Sequence, residues 1–168
     1  MAKPDRLIYL PLGGAGEIGM NMYLYGYGPE GAERFILVDM GVSFPTMEST
    51  PGVDLIMADP AWIQARADRL EAIFITHGHE DHLGALGLLW HRLRKPVYAR
   101  RFTAALAKAK MERAGQPTDE VRQVDVWPHV VHAGPFTVGL HADRAFDPGE
   151  LGAGHRYAGG ADLPLCRF

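Results

Sequence analysis

Apolar positions along the chain fall into short runs broken by glycine, proline and charge. Leu7-Ile8-Tyr9-Leu10 is a strand that Pro11 stops. Met20 to Tyr27 forms a second strand ending in Gly26, Gly28 and Pro29, and Arg34 to Val38 a third. Pro29-Glu30-Gly31 between these two predicts a hairpin. Met40 to Gly52 is irregular, and Val53 to Met57 is a short strand. Ala61 to Leu70 has helical spacing. Ala72 to Thr76 is a β-branched and aromatic strand. His82 to Leu93 and Phe102 to Ala114 are helices, the first closed by Pro96 and the second by Gly115. Val97 to Ala99, Val121 to Val126 and Phe136 to Leu140 complete the strands. The order is β-rich first and β/α afterwards, which predicts an α/β fold of α+β sandwich type.

Composition bounds this picture. The chain has 168 residues, 47% hydrophobic and 22% charged, which excludes intrinsic disorder. A net charge of −3 advertises no nucleic-acid affinity, so any such contact needs a local patch. The lone Cys166 makes no intrachain disulfide and suits a reducing compartment. No apolar run approaches a membrane span, and the polar start gives way too early to proline and glycine for a signal peptide. A cytoplasmic protein with no membrane partner is expected.

One run carries chemistry. Thr76-His77-Gly78-His79-Glu80-Asp81-His82 follows directly on the apolar strand. At an extended strand end, residues i and i+2 point the same way, so His77 and His79 can grip one cation. The chain then turns, and Asp81 and His82 face a second point nearby. Imidazole and carboxylate suit zinc and similar ions. Two such ions can share a hydroxide and clamp a phosphate or carbonyl. A helix opening beside this run would add free N–H groups toward an anion.

The run, followed by Leu83-Gly84, resembles the signature of the metallo-β-lactamase superfamily. Leu12-Gly13-Gly14-Ala15-Gly16-Glu17-Ile18-Gly19-Met20-Asn21, then Val38-Asp39-Met40-Gly41, then Gly52-Val53-Asp54-Leu55-Ile56, resemble the ribonuclease J family of the β-CASP branch. The resemblance spans about residues 6 to 138. It implies the N-terminal half of a four-layer αβ/βα sandwich, two divalent metal ions (zinc usually, manganese as the alternative) and hydrolysis of RNA phosphodiester bonds. It assigns His77 and His79 to the first metal, and Asp81 and His82 to the second. Asp81 would also orient the attacking hydroxide. Asp39 would be the other functional carboxylate, supporting the ligand loop from behind. The full-length family implies a homo-oligomer.

Several rivals compete. Gly14-x-Gly16-x-x-Gly19 with Asp39 outlines a dinucleotide fingerprint. The segment between is too rich in glycine, proline and tyrosine for the helix that motif requires. A thioesterase or lactonase of the glyoxalase II type shares the histidine run, and a non-catalytic fragment is the third reading. His91, His129, His132 and His155 read as structural or surface residues, and Tyr23 and Tyr25 as sheet residues. Arg92, Arg94, Lys95, Arg100 and Arg101 read as a solvated basic face.

The resemblance breaks near residue 140. The family pattern places a His-Ser-Ile-Pro motif after Gly134-Pro135-Phe136-Thr137-Val138, and later an Asp motif that bridges the metals. This chain reads His141-Ala142-Asp143-Arg144-Ala145-Phe146-Asp147-Pro148-Gly149-Glu150. Codons for that stretch, read one base later, permit Thr-Pro-Ile-Ala-His-Ser-Ile-Pro. The same shift over Asp162 to Phe168 permits Thr-Phe-His-x-Ala-Asp-Phe. The expectation is a domain portion over 1–139, a frameshifted tail over 140–168, and no β-CASP domain. With the first metal's third ligand and the bridging Asp missing, the chain should be weak or inactive. A genuine short protein using His141 as the replacement ligand is the alternative.

Overall fold

A computed structural model describes residues 3–46, 50–141 and, as backbone, 165–167. The strands are β1 (Asp5–Gly13), β2 (Met22–Pro29), β3 (Arg34–Val38), β4 (Val42–Ser43), β5 (Ile56–Met57), β6 (Leu70–Ile75), β7 (Val97–Arg100), β8 (Val121–Val124), β9 (Val131–Ala133), β10 (Phe136–Gly139) and β11 (Leu165–Arg167). The helices are α1 (Ala61–Gln64), α2 (Glu80–Leu83), α3 (Leu86–Leu93) and α4 (Arg101–Arg113).

A six-stranded sheet runs β1-β2-β3-β6-β7-β8. Its first three strands are antiparallel, and β3, β6, β7 and β8 are parallel. Parallel neighbours need crossovers, which α2 with α3 and then α4 supply. Period-2 alternation divides the apolar side chains between two faces. Phe35, Leu37, Ile73 and Ile75 join the helix-side core with Leu86, Leu89 and Ala107. Ile36, Val38, Ala72 and Phe74 face the other way and pack on Phe136 and Val138 of the β9-β10-β11 sheet. The described residues thus form helix, sheet and sheet layers of a mixed α/β sandwich. Burying Phe74 or Ile73 completely contributes about 1.5–3 kcal/mol each.

Four sequence expectations are corrected. Pro11 does not stop β1, which continues to Gly13. The strand lies at the sheet edge, and its register shifts between Pro11 and Gly13, so a missing N–H is tolerated. The helix expected from Ala61 to Leu70 is one turn, α1, followed by a 3₁₀ turn at Ala67–Arg69. Leu70 instead pairs with Phe35 and is fully buried as the start of β6. The helix expected from His82 to Leu93 is two helices, because the Ala85 N–H leaves the helical ladder and donates to the Met40 carbonyl at 2.8 Å. The strand expected from Val53 is confined to Ile56–Met57.

Helix α4 ends as its sequence dictates. Gly115 takes a φ of +67°, and Gln116 N–H returns to the Met111 carbonyl at 2.8 Å. The expected tail lies largely outside the described residues. Beyond residue 141 its described piece, the β11 backbone, pairs in parallel with β10.

Candidate metal centre

The candidate residues gather where β3 and β6 end. Ligand sites of parallel sheets form at these carboxyl ends. Asp39 follows β3 and Thr76 follows β6, and the Asp39 N–H donates to the Phe74 carbonyl at 2.8 Å. Asp39 holds a φ of +62°, a left-handed conformation that Asp and Asn tolerate better than most residues. That turn aims its carboxylate under the histidine loop.

The Asp39 carboxylate is only 2% exposed and fully engaged. Its Oδ1 accepts from the Thr76 N–H at 2.8 Å, and its Oδ2 lies 2.7 Å from His82 Nδ1. The Thr76 hydroxyl lies 2.9 Å from Oδ2 and 3.0 Å from His77 Nδ1. One proton arrangement satisfies all of these. His82 Nδ1–H donates to Asp39, the Thr76 O–H donates to Asp39, and His77 Nδ1–H donates to Thr76 Oγ1. Both imidazoles then present Nε2 as a lone pair, the form a metal takes.

The donor atoms sit in two pairs. His77 Nε2 and His79 Nδ1 are 3.2 Å apart, and Asp81 Oδ2 and His82 Nε2 are 3.3 Å apart. Ligand bonds of about 2.0–2.1 Å at a tetrahedral angle separate two donors by about 3.3 Å. Each pair therefore has the spacing of two ligands on one ion. The His77 ring lies 4.6 Å from that of His79 and 3.9 Å from that of His82, so the pairs adjoin. Imidazole and carboxylate are donor groups that suit a divalent metal. Among the described residues no three His, Cys, Asp or Glu converge as a ligand group. The His141 ring stacks on Trp127 with centroids 5.8 Å apart, and its Nε2 is buried with no hydrogen-bond partner among the described residues.

Three further residues hold the loop. Thr76 adjoins the histidine run in sequence, but its role was visible only in space. The Asn21 N–H donates to the Asp81 carbonyl at 2.9 Å, and its side-chain Nδ2 donates to the same oxygen at 3.0 Å. Gly41 passes so close that a Cβ there would lie 1.6 Å from the Asp81 carbonyl oxygen. Asn21 and Gly41 stood in the motif stretches without assigned roles. His91 is exposed on α3 and His132 on β9, away from the centre, as their surface reading expects.

Comparison with known proteins bears on the same residues. The family model of the metallo-beta-lactamase superfamily matches residues 16–156. Ribonuclease J of Sinorhizobium meliloti is 48% identical over 142 residues, covering 82% of this chain and 24% of that protein. Ribonuclease J 1 of Streptococcus pyogenes is 38% identical over 113 residues, covering 67% of this chain and 19% of that protein. Ribonuclease J2 of Bacillus subtilis is 38% identical over 106 residues, covering 63% and 18%. The chain spans less than a quarter of the length of each of these relatives.

Proposed function

The chain belongs to the metallo-beta-lactamase superfamily, and from that membership we propose that it is the metal-binding portion of a ribonuclease that hydrolyses RNA phosphodiester bonds. The observation that carries this reading is the adjacency of two donor pairs whose imidazoles are oriented by Asp39 and Thr76. The names of its relatives supply the substrate class.

Two divalent ions, zinc by preference over manganese, would be held by His77 with His79 and by Asp81 with His82. When bound, such ions supply a water acidified toward hydroxide and a Lewis acid for the phosphate. The chain's residues do the preparation. In the tautomers that these contacts favour, Thr76 and Asp39 accept the two Nδ1 protons and the Nε2 atoms of His77 and His82 would face the ions. The Asp81 carboxylate, 38% exposed, would orient the attacking oxygen. Within the described residues each ion would have two protein donors where a catalytic zinc usually has three, so hydrolysis by this chain alone should be slow.

Two subsidiary readings accompany this one. The first is that residues 140–168 are a frameshifted tail behind a domain portion at 1–139. The DNA across codon 140 tests it: a shifted frame that does not encode His-Ser-Ile-Pro and stay open refutes it. The second is that the parent enzyme is cytoplasmic and oligomeric. No helix among the described residues is long and apolar enough to cross a membrane.

The functional test is cleavage of a 5′-monophosphorylated RNA by zinc-loaded protein. Weak, metal-dependent cleavage that His79→Ala abolishes supports the reading. Hydrolysis of a thioester or lactone with RNA left intact would move the protein to the glyoxalase II type. Failure to bind any divalent ion would leave the non-catalytic fragment.

A further inference from the structure

We propose that Tyr23 and Asn21 form a positioning relay that sets the Asp81 carbonyl and carboxylate, in a space that Gly14 keeps open. The inference deepens the metal-centre reading and rests on it.

Asn21 sits between the glycine loop and β2, sixty residues from Asp81 in sequence. Its backbone is clamped on both sides, by its N–H to the Asp81 carbonyl and by the Gly41 N–H to its own carbonyl at 3.0 Å. The side chain therefore has little freedom. Its Nδ2 lies 3.2 Å from Asp81 Oδ2 and 3.2 Å from His82 Nε2, the two donor atoms of the second pair. One amide group thus reaches both members in the metal-free chain; an ion would take the single lone pair of His82 Nε2, and the amide would keep its bonds to the Asp81 carbonyl and Oδ2.

An amide can face either way; the acceptors around Nδ2 fix the orientation, and Tyr23 then bonds the other end. The Tyr23 hydroxyl donates to Asn21 Oδ1 at 2.7 Å. In the opposite orientation Oδ1 would face the Asp81 carbonyl, the Asp81 carboxylate and the His82 lone pair together, all acceptors. Tyr23 reaches this point from β2, where it pairs with Val38 immediately before Asp39. Its ring stacks near Tyr9, with centroids 5.9 Å apart. Burial, then Tyr9, then Asp39 and Asp81 raise the phenol's pKa, so the hydroxyl keeps the proton it donates.

Gly14 explains part of the glycine run that no nucleotide fold claims. Its φ is +81°, and a Cβ there would lie 2.4 Å from Asn21 Oδ1 and 2.5 Å from the Tyr23 hydroxyl. Any side chain at position 14 would strike the joint of the relay. Gly16, two residues on, faces open space.

The test combines zinc calorimetry with the Asn21 side-chain amide signal in the NMR spectrum of the metal-free full chain. Tyr23→Phe keeps the ring and removes the hydroxyl; Asn21→Ala removes the amide. Both should weaken the zinc step that uses Asp81 by about 10–100-fold and leave the other unchanged, the usual effect of losing a hydrogen-bond partner of a ligating carboxylate. In the metal-free chain the Asn21 amide protons should be protected from exchange, and Tyr23→Phe should release them. Equal weakening of both zinc steps, or no weakening, overturns the relay. An amide signal indifferent to Tyr23→Phe also overturns it. If the unaltered chain takes up no zinc, the metal-centre reading fails, and the amide signal alone still decides the relay.

Discussion

Asp39 and His82 are 43 residues apart in the chain, and their side chains meet at 2.7 Å. The contact joins the end of β3 to the helix that follows β6, and a second bond, Met40 N–H to the His82 carbonyl at 2.8 Å, fixes the backbone beside it. A buried carboxylate here both ties two strand ends together and selects the imidazole tautomer. Structure and site therefore share one residue.

Asp39→Asn tests that dual role. The amide preserves shape and tolerates the same left-handed φ. It cannot accept from both the Thr76 N–H and His82 Nδ1–H, because one of its two polar atoms is now a donor. We expect a loss of about 1–3 kcal/mol in stability. Zinc affinity should fall by about 10–100-fold. Thermal melting and calorimetry read the two effects; full zinc affinity in the variant would show that Asp39 does not orient the ligands.

Thr76→Val and Thr76→Ser separate the hydroxyl from the bulk of that side chain. Valine keeps the β-branch and removes the oxygen that receives His77 Nδ1–H at 3.0 Å. Serine restores the oxygen. Valine should therefore weaken zinc binding at the His77–His79 pair, and serine should recover most of it. Equal affinities in the two variants would deny the hydroxyl a role in fixing the His77 tautomer.

Gly41→Ala probes the tightest approach around the centre. A Cβ at position 41 would lie 1.6 Å from the Asp81 carbonyl oxygen and 2.9 Å from the Asn21 nitrogen. The obstacles are backbone atoms of two other segments, so no rotamer relieves the clash. The cost should be at least the roughly 1–3 kcal/mol of an overpacked core. A melting temperature within a degree of the unaltered chain would contradict the packing.

What the sequence disclosed was local. The run from Thr76 to His82 showed its candidate donors because side chains at i and i+2 lie beside each other on an extended chain. Strand β3 was readable to the residue because both of its faces are buried, leaving an unbroken apolar run. The missed features depend on partners far along the chain. Ala85 breaks a helix only because Met40 offers it a carbonyl. Leu70 leaves its helix because Phe35 waits in the neighbouring strand. Asn21 looks like an ordinary loop residue until Asp81 is folded against it.

Glu33 gives the last prediction, and it concerns pH. This carboxylate closes the β2–β3 turn and is 4% exposed. It accepts from the Gly31 N–H at 3.1 Å and from Arg6 Nε at 2.8 Å. Hydrogen bonding from the backbone, aided by Arg6, holds its pKa below the ordinary 4.5 despite the opposing effect of burial. A carboxyl group whose pKa falls on folding stabilises the native state at every pH above its unfolded value. That stabilisation fades as the pH drops through the folded value. Glu33→Gln should therefore lower the melting temperature at pH 7, and the gap to the unaltered chain should close progressively below about pH 4.5. Melting curves of both proteins across that range provide the measurement. A gap that stays constant, or widens with acid, would mean that the turn is held by its shape and not by the charge on Glu33.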